Sequence, residues 1–112
     1  MRAGDIRRVD FGEPIGSEPG FVRPALLVTS DTVLERNPRT VHVVPITSNV
    51  LRALPTDVLL DQTGLPNQSA AQVHLCTVIS TTRIITNNTE GNVGPTALAQ
   101  IRSVLADLLD IS

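Results

Sequence analysis

GSEPGFVRPALLVTS, residues Gly16 to Ser30, divides into two unlike halves. Gly16, Pro19 and Gly20 break regular structure, and Ser17 and Glu18 add a hydroxyl and a carboxylate, so the first half is loop chemistry. Ala25, Leu26, Leu27 and Val28 form a continuous apolar run, which reads as a buried strand of about 24–30. Arg23-Pro24 joins the two. A charge placed where a loop enters a rigid strand is well positioned for function, although the same arginine could simply solvate a strand end.

Outward from this stretch, the chain of 112 residues is long enough for one domain, 1–112, with one modest core. A hydrophobic content of 41% with 18% charged residues is a globular composition. No apolar run reaches the length that spans a bilayer, and no apolar signal segment is seen at the start, so a cytoplasmic protein is expected. A single cysteine, Cys76, excludes an internal disulfide and fits a reducing compartment. All nine basic residues are Arg, which excludes a Lys nucleophile and leaves phosphate contacts to guanidinium groups. With only Phe11 and Phe21 as aromatics, no stacked-ring surface for bases can be built. The net charge of −2 argues against broad nonspecific binding to nucleic acid, but allows a local arginine cluster.

Taken in order, residues 4–11 alternate imperfectly. Ile6, Val9 and Phe11 are expected to face a core, with a slip near Arg7 and Arg8 that suggests a bulge. Residues 12–22 form a long loop. Ser30 is a helix N-cap before a turn or two that Asn37-Pro38 ends. Further strands are expected at 40–46, with Pro45 near its end, at 56–61, at 69–80 as one long strand that bends, and briefly at Ile84 to Thr86. Residues 62–68 read as a loop and 87–94 as a turn-rich connection. The spacing of Leu98, Ile101, Leu105 and Leu108 predicts an amphipathic helix over 95–110, started by Pro95 and widened by Leu109 and Ile111, with Arg102 and Asp107 away from the stripe. The sum is a mainly β fold with a C-terminal helix (α+β): a small antiparallel, partly closed barrel of five to six strands with the helix packed against it.

Two histidines and one cysteine do not make a closed zinc site, even though a strand would place His74 and Cys76 on one face. Cys76 reads as a small core residue. No Gly-rich phosphate loop and no GxSxG elbow occurs. What remains is Ser17, Glu18, Arg23, Thr47, Ser48 and His74. Arg23 and Thr47 each lie at a strand end, and antiparallel pairing could bring such ends together. An arginine beside hydroxyls suits a phosphodiester, whose transition-state charge it would stabilise. Without a metal cluster, phosphodiester chemistry here would use RNA's own 2′-OH as nucleophile, and periodicity alone does not choose this over a plain barrel module.

The sequence resembles the MazF/PemK family of toxin endoribonucleases over almost its whole length. The resemblance is carried by GDIRRVDF (4–11), GSEPGFVRPALLVTS (16–30), VVPITS (43–48) and GLPNQS (64–69), in that order. It implies an SH3-like barrel, a homodimer, cleavage of single-stranded RNA at short sequences with no metal or other cofactor, and a cognate antitoxin that covers the RNA groove. It also implies translation block and growth inhibition as the outcome, within a type II toxin–antitoxin system.

Carried over by position, the resemblance implies catalytic roles for Arg23, Thr47 and Glu18, and RNA contacts from Ser17, Ser48, Gln72 and His74. The products would be a 2′,3′-cyclic phosphate and a 5′-OH. Arginine is a poor base, so Arg23 is assigned to charge stabilisation and proton delivery, with Glu18, His74 or a polarised water as the base. The chain departs from the family pattern at Arg7, where an aromatic is usual, and over Gln72-Val73-His74-Leu75-Cys76-Thr77, where an acid, Gln and Arg are frequent. Two other classes fit the same barrel: a gyrase-poisoning toxin similar to CcdB, and an impaired family member acting as a binding module.

Overall fold

The computed structural model describes residues 1–61, 65–85 and 87–111. Gln62 to Gly64 of the expected loop and Thr86 of the expected sixth strand lie outside them. Seven strands run in the order β1 (Asp5–Asp10), β2 (Val22–Leu27), β3 (Thr40–Thr47), β4 (Asp57–Leu60), β5 (Ser69–Gln72), β6 (Thr77–Ser80) and β7 (Gly91–Asn92). Helix α1 (Asp31–Leu34) follows β2, and α2 (Gly94–Leu109) follows β7. The sheet is antiparallel, ordered β4-β5-β3-β2-β1-β7, with β6 also paired to β3. A bridge from Ile84 to Val9 ties the segment after β6 back to β1 and curls the sheet toward closure. The expected mainly β architecture with a C-terminal helix is present, with β7 as a strand that the turn-rich reading of 87–94 did not contain.

β2 explains the layering. Leu26 and Val28 enter one core cluster with Ile6, Val44, Ile46, Val73 and Ile101 of α2. Ala25 and Leu27 enter a second with Val9, Leu34, Val41, Val43 and Ile79 inside the curl. Alternate side chains along a strand point to opposite faces, so a strand covered on both sides has no polar position to spare. The four-residue apolar run is the direct consequence.

Several expectations are corrected. β1 has no bulge: its pairing with β2 runs unbroken from Ile6↔Leu26 to Asp10↔Val22. Ile6 faces the helix side and Val9 the interior, so what looked like a slip is a strand buried on both faces, with Arg7 itself only 8% exposed. The expected strand 69–80 is two strands separated by a 3-10 turn, Val73–Leu75, which carries Val73 into the helix-side core. His74 and Cys76 therefore do not share a strand face. Residues Thr81–Arg83 form another 3-10 turn, and Ile84 makes the single bridge rather than a strand. Pro45 sits in the interval where the partner on one edge of β3 changes from β6 (through Val43) to β5 (from Ile46), so its missing N–H interrupts neither pairing.

In α2, Ile101 is fully buried and Leu98 and Leu105 pack against the same cluster. Leu108, Leu109 and Ile111 are exposed, so the apolar stripe outruns the core at the last turn. Arg102 reaches back to donate to the Val28 carbonyl at 3.0 Å, which ties the helix to the residue that follows β2. Ser30 caps α1 as expected, its side chain accepting from Val33 N–H. Asn37 then turns left-handed at φ 52°, just before Pro38.

Candidate functional site

Arg23 lies in β2 opposite Val9. β2 and β3 pair as Ala25↔Pro45, Leu26↔Val44 and Leu27↔Val43, and continuing that register sets Arg23 level with Thr47. The two strand ends thus meet, as antiparallel pairing allows. They line an open cavity of about 340 Å³ with Arg8, Ser48, Asn67 and Ser69, floored by Pro24, Ile46, Leu65 and Pro66.

The arginine is fixed within this cavity. Its Nη2 donates to Gln72 Oε1 at 2.7 Å and to the Ile46 carbonyl at 3.3 Å. Partial burial pushes its pKa below the usual arginine value, because desolvation disfavours the charged form. A guanidinium has five N–H donors, so two contacts through one nitrogen leave most of the fork for a ligand. Thr47 Oγ1 accepts from Asn49 N–H at 3.1 Å, which holds the hydroxyl while leaving its own proton to donate. Ser69, buried at the cavity wall, donates to the Asn67 carbonyl at 3.1 Å and shapes the turn there. Such an arrangement suits a bound phosphodiester: fixed cation, hydroxyl donors, and room for a substituent on either side.

The sequence candidates separate into two groups. Arg23, Thr47 and Ser48 line the cavity, and Gln72 touches it through Arg23. Ser17, Glu18 and His74 line a separate depression with Cys76 and Thr77. The reason is the neck of the loop between β1 and β2. Phe11 N–H donates to the Phe21 carbonyl at 2.9 Å and Phe21 N–H to the Gly12 carbonyl at 2.6 Å, so residues 13–20 form a closed excursion. Inside it Gly20 lies under Pro14, where a Cβ would stand 2.5 Å from the ring. This folding carries Glu18 toward β6, beside Thr77 and Ile79, and not into the Arg23 cavity. No carboxylate or imidazole lines that cavity among the described residues.

His74 has its own acidic neighbour: its Nδ1 lies 3.5 Å from Oδ1 of Asp57, whose side chain is buried and whose other oxygen accepts from Leu54 N–H at 3.0 Å. Cys76 packs on the helix-side core, and burial pushes its thiol pKa up, which favours the protonated, unreactive form. Sequence reasoning passed over Arg8, Asn67 and Ser69 as site residues. Arg8 looked like an ordinary charge on an alternating strand, and the other two belong to a turn whose position depends on β3–β5 pairing 20 residues away.

Comparison with known proteins identifies the family and the fold. Residues 2–109 match the family described as PemK-like, MazF-like toxin of type II toxin–antitoxin system. The chain is 35% identical to the endoribonuclease MazF9 of Mycobacterium tuberculosis, over 99% of its own length and 98% of the relative's. It is 31% identical to MazF6 of the same organism, over 96% and 95%. Among solved structures, MazF of Deinococcus radiodurans superposes with a TM-score of 0.83 at 22% identity, covering 98% of this chain and 96% of that one. A mycobacterial endoribonuclease in complex with its cognate antitoxin superposes with a TM-score of 0.77 at 20% identity, covering 100% and 97%. At these identities the two structures speak for the fold alone.

Proposed function

The chain belongs to the PemK-like, MazF-like family of type II toxins, and we propose that it is an endoribonuclease that cleaves single-stranded RNA in the Arg23–Thr47 cavity. The observation that carries this reading is the Arg23 guanidinium, pinned by Gln72 beside two hydroxyl side chains in an open cavity. A preorganised donor aimed at developing charge stabilises a transition state without reorganising.

In this reading the scissile phosphate lies between Arg23 and Thr47. The 2′-oxygen forms a bond to phosphorus while the bond from phosphorus to O5′ breaks. The proton of the 2′-OH passes to water in the open cavity, and O5′ takes up a proton on leaving. The products are a 2′,3′-cyclic phosphate and a 5′-hydroxyl. Arg23 neutralises the extra charge on the phosphoryl oxygens, and its depressed pKa makes it a better proton donor to O5′ than a free arginine. Thr47 donates to a phosphoryl oxygen, and Ser48 to its neighbour. Ser17, Glu18 and His74 contact the RNA where it leaves the cavity, which places Glu18 on the strand's path and away from the reacting phosphate. The active form is a homodimer, and a cognate antitoxin silences it by covering the cavity.

Purified protein is expected to cut single-stranded RNA in the presence of EDTA and to leave 5′-OH ends. Arg23→Ala is expected to lower the rate by at least ~100-fold, the scale of losing one transition-state donor. A variant that cuts at the wild-type rate would overturn the assignment.

A further inference from the structure

The cavity contains a second arginine that the cleavage chemistry does not use. Arg8 of β1 pairs with Pro24, the residue after Arg23, and lines the same cavity. Its Nη2 donates to Glu90 Oε1 at 2.6 Å. Both side chains are about one-third exposed, 36% for Arg8 and 30% for Glu90, so the pair stands at the rim. Glu90 is anchored from behind, its N–H donating to the Ile6 carbonyl at 2.8 Å. Its Oε2 is buried and, among the described residues, has no hydrogen-bond partner.

A carboxylate with one oxygen on a guanidinium and the other enclosed and unpaired is an imperfect partner. A bidentate pair would engage both oxygens. Among the described residues Glu90 holds Arg8 through one nitrogen alone, and the arginine side chain lines the cavity. That is the condition in which an arginine accepts a phosphate without first being ordered.

We propose that Arg8 is a second phosphate-binding residue of this cavity, taking the phosphodiester next to the scissile one, and that Glu90 is an internal competitor that weakens its hold. The inference rests on the reading of the cavity as an RNA phosphodiester site. The plain alternative is that the Arg8–Glu90 pair only fastens the segment before β7 to β1. The two differ in sign. A fastening role makes loss of either partner harmful in the same way. A competing role makes the two losses opposite.

The test is binding of a 2′-O-methyl RNA oligonucleotide of randomised sequence, which offers the phosphates but no attacking hydroxyl, followed by fluorescence anisotropy across a salt series. Arg8→Gln is expected to weaken binding and to reduce the steepness of log affinity against log salt by about 0.7, the value for one phosphate contact on a single strand. Glu90→Gln is expected to tighten binding severalfold at moderate salt. Glu90→Gln leaves Arg8 intact and separates the two readings by the sign of its effect, which covers the case in which Arg8→Gln folds poorly. Equal weakening by Arg8→Gln and Glu90→Gln, or a salt slope indifferent to Arg8, would overturn the proposal. Cleavage by Arg23→Ala is scored separately on unmodified RNA. Its survival would remove the assignment of the cleavage site to Arg23 and leave the Arg8 result standing as phosphate binding alone.

Discussion

Gln72→Ala removes the acceptor that holds the Arg23 guanidinium at 2.7 Å and leaves the longer, 3.3 Å contact to the Ile46 carbonyl. Hydrogen bonds to charged groups contribute about 1.5–3 kcal/mol, and this one is only partly buried, so about 1.4 kcal/mol of positioning is at stake. At 1.36 kcal/mol per factor of ten, kcat should fall about tenfold with KM little changed. Gln72→Glu keeps the anchor but sets a negative charge against the guanidinium, cancelling part of the field the phosphate needs, and should also slow the reaction. The assay is single-turnover cleavage of a fluorogenic RNA. The decisive measurement is the double variant. If Gln72 acts only through Arg23, Gln72→Ala costs nothing further once Arg23 is Ala. Full additivity of the two losses would refute the positioning argument and make Gln72 an independent contact.

Three further outcomes follow from the fold. Ile101→Ala opens a cavity at a fully buried position of the helix-side core and should lower stability by about 3 kcal/mol in urea titration; an unchanged midpoint would show that α2 does not pin that core. Phe21 is exposed and held at φ 59°, so Phe21→Gly should stabilise the monomeric fold by about 1 kcal/mol, read as a raised melting temperature; a lowered one would show that the ring has a packing partner. Because burial raises the Cys76 pKa, the thiolate fraction at pH 8 is below that of a free thiol, and iodoacetamide should label the native protein more slowly than the urea-unfolded chain until the pH passes the raised value. Equal labelling rates at pH 8 would contradict that burial.

The parts of the fold legible in the sequence are those where local pattern and tertiary burial agree. The run Ala25–Val28 announces a buried strand, Ser30 caps the short helix, and the spacing around Ile101 gives the long one. The failures have one physical source: the sequence does not say what lies opposite. Val73, His74 and Leu75 have strand-forming character, but Val73 is drawn into the core under α2 and the strand breaks there. Gly91–Asn92 is too short to show periodicity and exists because β1 offers it an edge. At the site, Arg23 and Thr47 could be paired from their places at strand ends. Arg8 could not, since its role depends on Glu90, 82 residues away. Glu18 joins Arg23 only through its match to the family's Gly-Ser-Glu position, and in this fold the closed neck at Phe11 and Phe21 sets it in a separate depression.

That neck has a consequence for change over time. Two main-chain bonds clamp the loop at its base, and Arg23 lies two residues beyond the clamp. Residues 13–20 can then be lengthened, shortened or exchanged as a cassette. Doubling a flexible loop adds only about 0.6 kcal/mol of closure entropy. The Arg23 end of β2 would stay in register throughout. Diversity in what flanks the cleft can accumulate in the cassette while Arg23 stays where it is.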